Sequence, residues 1–113
     1  MEDLLREIIK KNREYPEEQI EFSDYCIKKM KQRNIEKEVV LSAVKSTGNL
    51  FYAEVQKRPF RGVIEERFKI VYRLSSRYSL IVIVAYHQKI LKVINVIKTS
   101  KDFKAKWRKK ILR

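Results

Sequence analysis

Apolar residues in the first 46 positions recur every three or four residues, which is the spacing of amphipathic helices. This spacing predicts a first helix over about 2–13, in an N-terminal segment that ends before Pro16. Ser23 is placed to cap a second helix, because its hydroxyl can accept from the first free amides. A third helix is expected over about 36–46, so that residues 23–47 form a helical hairpin.

From Leu50 onward, apolar residues recur at every second position, which predicts strands. Four strands are predicted, over 51–57, 63–74, 79–87 and 90–98. Because short turn-forming segments join them, these strands are expected to pair as antiparallel hairpins in a sheet that spans 50–98. Residues 81–85 are apolar at every position, which predicts an inner strand covered on both faces.

The last segment, 100–113, predicts a basic amphipathic helix capped by Ser100. Phe103, Trp107 and Ile111 recur there every four residues. We expect this stripe to dock the helix on the sheet, and stacking of the two aromatic rings on nucleobases is the alternative. The chain is therefore predicted to be a single α+β domain over 1–113.

Length and composition limit the class of protein. A chain of 113 residues with 44% apolar residues suffices for one domain with one core. Its single cysteine cannot form an internal disulfide, and its N-terminus lacks the residue order of a signal peptide. The longest apolar run, Leu80 to Tyr86, is far shorter than a membrane helix needs. We therefore expect a cytoplasmic protein.

The formal charge of +13 is confined to one part of the sequence. Residues 1–66 hold 13 basic and 13 acidic residues, whereas residues 67–113 hold 14 basic residues and only Asp102 as an acid. An excess of this kind favours polyanionic partners. RNA or another nucleic acid is the first candidate, and an anionic membrane surface or an acidic protein is the alternative.

The predicted strand over 63–74 has two chemically different faces. Ile64, Phe68, Ile70, Tyr72 and Leu74 fall on one face, which is expected to join the core, and Arg67, Lys69 and Arg73 fall on the other. The ordinary interpretation of the basic face is a solvated surface. We favour a phosphate-binding row, because the planar fork of arginine suits phosphate and no carboxylate is interleaved with these three residues.

Few residues in the sequence suit catalysis or metal binding. Cys26 and His87 are too few and too far apart for a zinc site, and we expect no cofactor. Cys26 falls on the apolar side of a helix, which is typical of a core residue. Tyr86 and His87 end the most apolar strand near Lys89 and Lys92, where a histidine could transfer protons. A turn histidine beside a packed tyrosine is an equally good interpretation.

The stretch FSDYCIKKMKQRNI, residues 22–35, resembles the opening of small domains related to the BrnT and RelE toxins, F-S-x-H-A-x-x-R-M-x-x-R-x-I. Identical residues stand at five positions of that pattern, namely Phe22, Ser23, Met30, Arg33 and Ile35. The segments FKIVYR (68–73) and IVIVAY (81–86) look like two strands of the same domains. One departure is Tyr25, which stands where the pattern has its histidine.

The resemblance implies a RelE-like fold, in which helices pack on one face of a four-stranded, mainly antiparallel sheet and RNA binds the other face. It further implies a toxin that cleaves messenger RNA without metal, with the ribosome as one place of action and an acidic antitoxin as partner. Arg73, Tyr86 and His87 would then be catalytic. The expected RNA-binding residues are Arg67, Lys69, Lys89, Lys92, Lys104, Arg108 and Lys109. A non-catalytic RNA- or DNA-binding module with a basic sheet face is the alternative, and Tyr25 favours it.

Overall fold

A computed structural model describes residues 1–46 and 48–100. Within these ranges the chain is α+β, as predicted, and contains three α-helices and five strands. In chain order they are α1 (Glu2–Arg13), β1 (Ile20–Phe22), α2 (Asp24–Gln32), α3 (Lys37–Lys45), β2 (Leu50–Phe60), β3 (Val63–Arg73), β4 (Tyr78–Tyr86) and β5 (Leu91–Ser100). The Ser23 hydroxyl caps α2 as predicted, since it accepts from the Cys26 amide at 3.1 Å.

The strands form one mixed sheet in the order β1-β5-β4-β3-β2. The prediction of a four-stranded, mainly antiparallel sheet was therefore wrong in its strand count, and it did not include a parallel pair. The additional strand, β1, runs parallel to β5 with Ile20 opposite Leu91. Three residues are too few to show an alternating pattern, and the partner strand lies near the other end of the sequence, so local spacing could not predict this pair.

The predicted C-terminal helix finds no match in the described residues. β5 continues to Ser100, where it pairs with Tyr78, so Ser100 ends a strand. The rest of the predicted helix lies outside the described residues, and so do Lys104, Arg108 and Lys109.

All three helices contribute to a core on one face of the sheet. Ile8 of α1, Cys26 of α2 and Val40 of α3 join one buried cluster with alternate residues of the strands. Phe68, Ile70 and Tyr72 of β3 lie in it, as predicted. Ile64, near one end of β3, and Leu74, one residue beyond its other end, are exposed, contrary to the prediction. The apolar run of β4 lies between β3 and β5, which confirms the inner strand.

We call the sheet face turned away from the helices the far face. Residues that alternate with the core positions of β3 point there, namely Glu65, Arg67, Lys69, Val71 and Arg73. One end of this face is apolar, with Val71, Ile81 and Tyr52 in a second buried cluster. The other end is charged and includes Glu65 and Arg67.

Candidate nucleic-acid interface

Four charged or titratable side chains meet at one end of the far face, and we call them the Glu65 cluster: Glu65, Arg67, His87 and Lys92. The Glu65 carboxylate accepts from Arg67 Nε at 2.8 Å. His87 Nε2 lies 3.4 Å and Lys92 Nζ 3.7 Å from its other oxygen. Three groups able to carry positive charge therefore converge on one carboxylate.

The fold brings these residues together from three parts of the sequence. Glu65 and Arg67 are two residues apart on β3 and so share a face. Lys92 reaches the same face from β5, where it pairs with Ala85. His87 begins the β4–β5 turn, which is closed by a 2.9 Å hydrogen bond from its amide to the Ile90 carbonyl.

The turn that carries His87 is also fixed from the helix side. The Tyr15 hydroxyl, just beyond α1, donates to the His87 carbonyl at 2.5 Å. The ring of Tyr15 stacks on that of Tyr86, with the centroids 6.1 Å apart. These contacts hold the backbone, while the imidazole itself stays 44% exposed. The His87 side chain is thus accessible, while hydrogen bonds hold its backbone in place.

Glu65 is charged at neutral pH although only 8% of its side chain is exposed. Burial acts to raise the pKa of this carboxyl, but the hydrogen bond from Arg67 and the charges of Lys92, Arg67 and His87 outweigh that effect, so the pKa is lowered. The carboxylate neutralises only part of the surrounding charge. An anion such as a phosphate could bind Arg67 or Lys92 on the solvent side.

The sequence predicted a basic row on β3 without neighbouring carboxylates, and this prediction was wrong. Arg67 pairs with Glu65, and Lys69 lies 3.9 Å from Glu54 on the neighbouring strand. Arg73 stacks on the ring of Phe51, 5.6 Å from its centroid. The sequence did not indicate these carboxylates for two reasons. Glu54 lies beside Lys69 only because β2 and β3 pair, and Glu65 lies in the part of the sequence whose charges balance.

The three predicted catalytic residues do not lie together. Arg73 pairs with Ser79 at the start of β4, and His87 follows the end of that strand, roughly 25 Å away at 3.3 Å per residue. Tyr86 points to the helix side, where its hydroxyl donates to Asn12 Oδ1 at 2.6 Å. Burial raises the pKa of the Tyr86 phenol, which therefore keeps its proton. Of the three, His87 alone belongs to the Glu65 cluster.

Among the predicted RNA-binding residues, Arg67 and Lys92 belong to the cluster, and Lys89 is exposed in the same turn as His87. Lys69 lies further along the sheet. Glu65 was not predicted to be a site residue. The spacing of Glu65 and Arg67, two apart on a strand with opposite charges, was a signal that could have identified the pair.

A cleft of about 340 Å³ adjoins the cluster. It opens where β3 and β4 separate, since their pairing runs only from Phe68 to Arg73 of β3. Glu65, His87 and Lys92 line it together with apolar side chains of the β2–β3 hairpin. Charged groups and apolar walls thus meet in one concavity, which is the usual composition of a ligand site.

Other candidate groups lie away from this cleft. Cys26 is buried on α2, and burial raises the pKa of its thiol to about 11, so it is not a nucleophile at neutral pH. Tyr25 is exposed on α2 and is not part of the Glu65 cluster. In the part of the chain that the structure describes, no three histidine, cysteine or acidic side chains are grouped to hold a metal ion. Over the same residues, no helix is long and apolar enough to cross a membrane.

Comparison of the chain with protein-family models, with curated proteins and with solved structures finds no match. The Glu65 cluster and the adjoining cleft are therefore the observations that bear on function.

Proposed function

We propose that the protein binds single-stranded RNA across the charged end of its far face and cleaves it without metal, as a RelE-like toxin would. The observation that carries this proposal is the Glu65 cluster, where an accessible histidine, an arginine and a lysine surround one carboxylate beside a cleft. Helices that pack on the opposite face leave this surface to a partner, which agrees with the arrangement implied by the resemblance.

Arg67 and Lys92 would hold the scissile phosphate. Arg67 can offer its terminal nitrogens to a phosphate while its Nε stays on Glu65, because the guanidinium carries five donors. Lys92, 22% exposed, contributes a point charge from the neighbouring strand. Both cations would stabilise the negative charge that builds up on the phosphate oxygens in the transition state.

His87 would transfer the proton. As the 2′-hydroxyl oxygen attacks phosphorus, the imidazole takes up the hydroxyl proton and the bond between phosphorus and O5′ breaks. The departing O5′ takes a proton from water, and the hydroxide so formed takes back the proton held by the imidazolium. The products are a 2′,3′-cyclic phosphate and a 5′-hydroxyl end. Glu65 would act as a positioning residue that orients the imidazole through the 3.4 Å contact.

The proposal extends to the substrate and to a protein partner. Messenger RNA, free or on the ribosome, is the substrate we propose in the cytoplasm, and an acidic antitoxin would cover the cluster and compete for it. Tyr25 does not belong to the Glu65 cluster, so the change at this position removes none of the groups on which the proposal depends.

A second candidate is a nucleic-acid-binding module without catalysis. It is favoured by the separation of Arg73, Tyr86 and His87, which leaves His87 as the one predicted catalytic residue at the Glu65 cluster. Both candidates predict that affinity for RNA falls steeply with salt, because each neutralised phosphate releases counterions. Salt dependence cannot distinguish them, whereas cleavage can.

The test is an RNA cleavage assay with the full chain, on free single-stranded RNA in EDTA and on translating ribosomes in the Mg²⁺ buffer that they require. We expect products with cyclic phosphate ends, and a loss of at least about 100-fold in rate for His87→Ala. Gln88→Ala, next to it in the same exposed turn, is the matched control and should cut like the parent. Binding without cleavage would establish the second candidate, and equal rates for the two variants would refute the role of His87.

A further inference from the structure

The β2–β3 hairpin extends beyond the rest of the sheet. β2 pairs with β3 along its whole length to Phe60 and Val63, but β4 pairs with β3 only from Phe68 onward. The five residues 63–67 therefore project past the end of the β3–β4 ladder, roughly 15 Å at 3.3 Å per residue. We call residues 57–67 the hairpin arm. The arm forms one wall of the cleft beside the Glu65 cluster.

The tip of the hairpin arm carries apolar side chains although it is exposed to solvent. Val63 and Ile64 are each 65% exposed, and both line the cleft. Phe60 lines it too, and its ring has the Lys92 ammonium 4.3 Å from the centroid. Two adjacent branched apolar side chains that stay exposed to solvent add no burial energy to the fold, so this wall is suited to an apolar surface on a ligand.

The ligand must also satisfy the charges at the foot of the same cleft. Lys92 contacts both the Phe60 ring and the Glu65 carboxylate, so the apolar wall and the phosphate-binding cations share one residue. A molecule that places an anionic group on Arg67 and Lys92 and a flat apolar group against the hairpin arm fits both parts. A nucleotide of single-stranded RNA has this combination, since its base offers an apolar face next to its phosphate.

We propose that the hairpin arm is a nucleobase subsite: the base next to the scissile phosphate packs against Phe60, Val63 and Ile64 while that phosphate lies on Arg67 and Lys92. This inference rests on the proposed function and deepens it, because it makes unpaired RNA the substrate class. A base within a duplex is stacked on its neighbours and cannot enter the cleft. The subsite selects single strands through base stacking and leaves sequence undetermined.

The test separates the base from the phosphate. A labelled hexanucleotide with 2′-O-methyl groups cannot be cleaved by the proposed chemistry, and an abasic chain of equal length has the same phosphates without bases. Both are titrated by fluorescence anisotropy into the full chain and into a double variant, Val63→Ser with Ile64→Ser. These side chains are exposed, so the substitutions leave the core intact. Val55→Ser, 44% exposed on β2, is the matched control.

We expect the double variant to lose about tenfold in affinity for the base-bearing chain, the size of a lost stacking contact. Affinity for the abasic chain should stay the same, and Val55→Ser should bind both like the parent. Equal weakening of both chains, or no change in either, would overturn the subsite; the latter is the result expected if the arm binds an apolar segment of a protein. Failure of the parent to bind either chain would instead refute the proposed function.

Discussion

Replacing Glu65 by glutamine keeps the shape of the side chain and removes the charge at the centre of the cluster. The carboxylate is 8% exposed and has three partners at 2.8, 3.4 and 3.7 Å. Breaking a fully buried ion pair costs about 3 to 5 kcal/mol, and breaking a surface pair costs about 0 to 1 kcal/mol. Since the partners are 21%, 44% and 22% exposed, we expect Glu65→Gln to lower the free energy of unfolding by about 2 kcal/mol at pH 7.

The pH dependence of that loss has a defined sign. The pKa of Glu65 is lowered in the folded protein, so its stabilisation is complete above the ordinary value of 4.5 and disappears as the pH falls through the folded value. Urea unfolding of the parent and of Glu65→Gln should therefore differ at neutral pH and converge in acid. Glu21→Gln, which removes an exposed charge from β1, should match the parent throughout. If the free energies of unfolding of the parent and Glu65→Gln are equal at pH 7, or differ as much in acid as at pH 7, the charge of Glu65 does not stabilise the fold.

The same variant should bind RNA more tightly while it unfolds more easily. If a phosphate binds Arg67 and Lys92 as proposed, Glu65 competes with it, so neutralising Glu65 should raise affinity for an uncleavable oligonucleotide about tenfold at low salt, which corresponds to about 1.4 kcal/mol. Cleavage should nevertheless fall, because the imidazole loses the group that orients it. Parallel loss of stability and of RNA affinity would show that the carboxylate supports the binding surface instead of competing with it.

Three further substitutions test the parts of the fold that support the site. Asn12→Ala removes a buried amide that donates to the Tyr72 hydroxyl and accepts from the Tyr86 hydroxyl. It should lower the free energy of unfolding by about 2 to 4 kcal/mol in urea, with an unchanged m-value. A loss below about 1 kcal/mol would show that these two hydrogen bonds do not stabilise the fold. Arg61 has a φ of 51° in the two-residue turn of the hairpin arm, so Arg61→Asn should raise the thermal midpoint through a gain of about 0.5 to 1 kcal/mol, and a lower midpoint would count against it. Tyr15→Phe removes the hydrogen bond to the His87 carbonyl, and should slow cleavage several-fold while affinity for RNA stays constant; unchanged rates would show that the turn holds without it.

The sequence predicted the elements whose patterns are local. The period of three to four gave α1, with observed bounds Glu2–Arg13, and the alternation after Leu50 gave four strands within a few residues of their ends. β2 runs on through Pro59 to Phe60, beyond the predicted end, because an edge strand tolerates a residue without an amide hydrogen. The connection is thus only Arg61 and Gly62, and the longer strands create the hairpin arm.

Long-range contacts account for what the sequence did not predict. β1 is too short to show a pattern and exists as a strand only because β5 lies beside it. Tyr86 and His87 were grouped because they are adjacent, yet adjacent residues at a strand end point to opposite faces, and the fold separates their side chains. Glu65 gained its role from Lys92 and His87, which approach it only once β4 and β5 have paired.

His87 provides a direct probe of the proposed RNA binding at the Glu65 cluster, because it is the only histidine in the chain. Its imidazole gives a single resolved pair of ring signals in a proton–carbon spectrum. Titration with the uncleavable 2′-O-methyl hexanucleotide should move these signals to a saturating value, with a midpoint that shifts to higher concentration as salt is added. Ring signals that stay in place while anisotropy shows the oligonucleotide fully bound would place RNA elsewhere on the protein and refute binding at the Glu65 cluster.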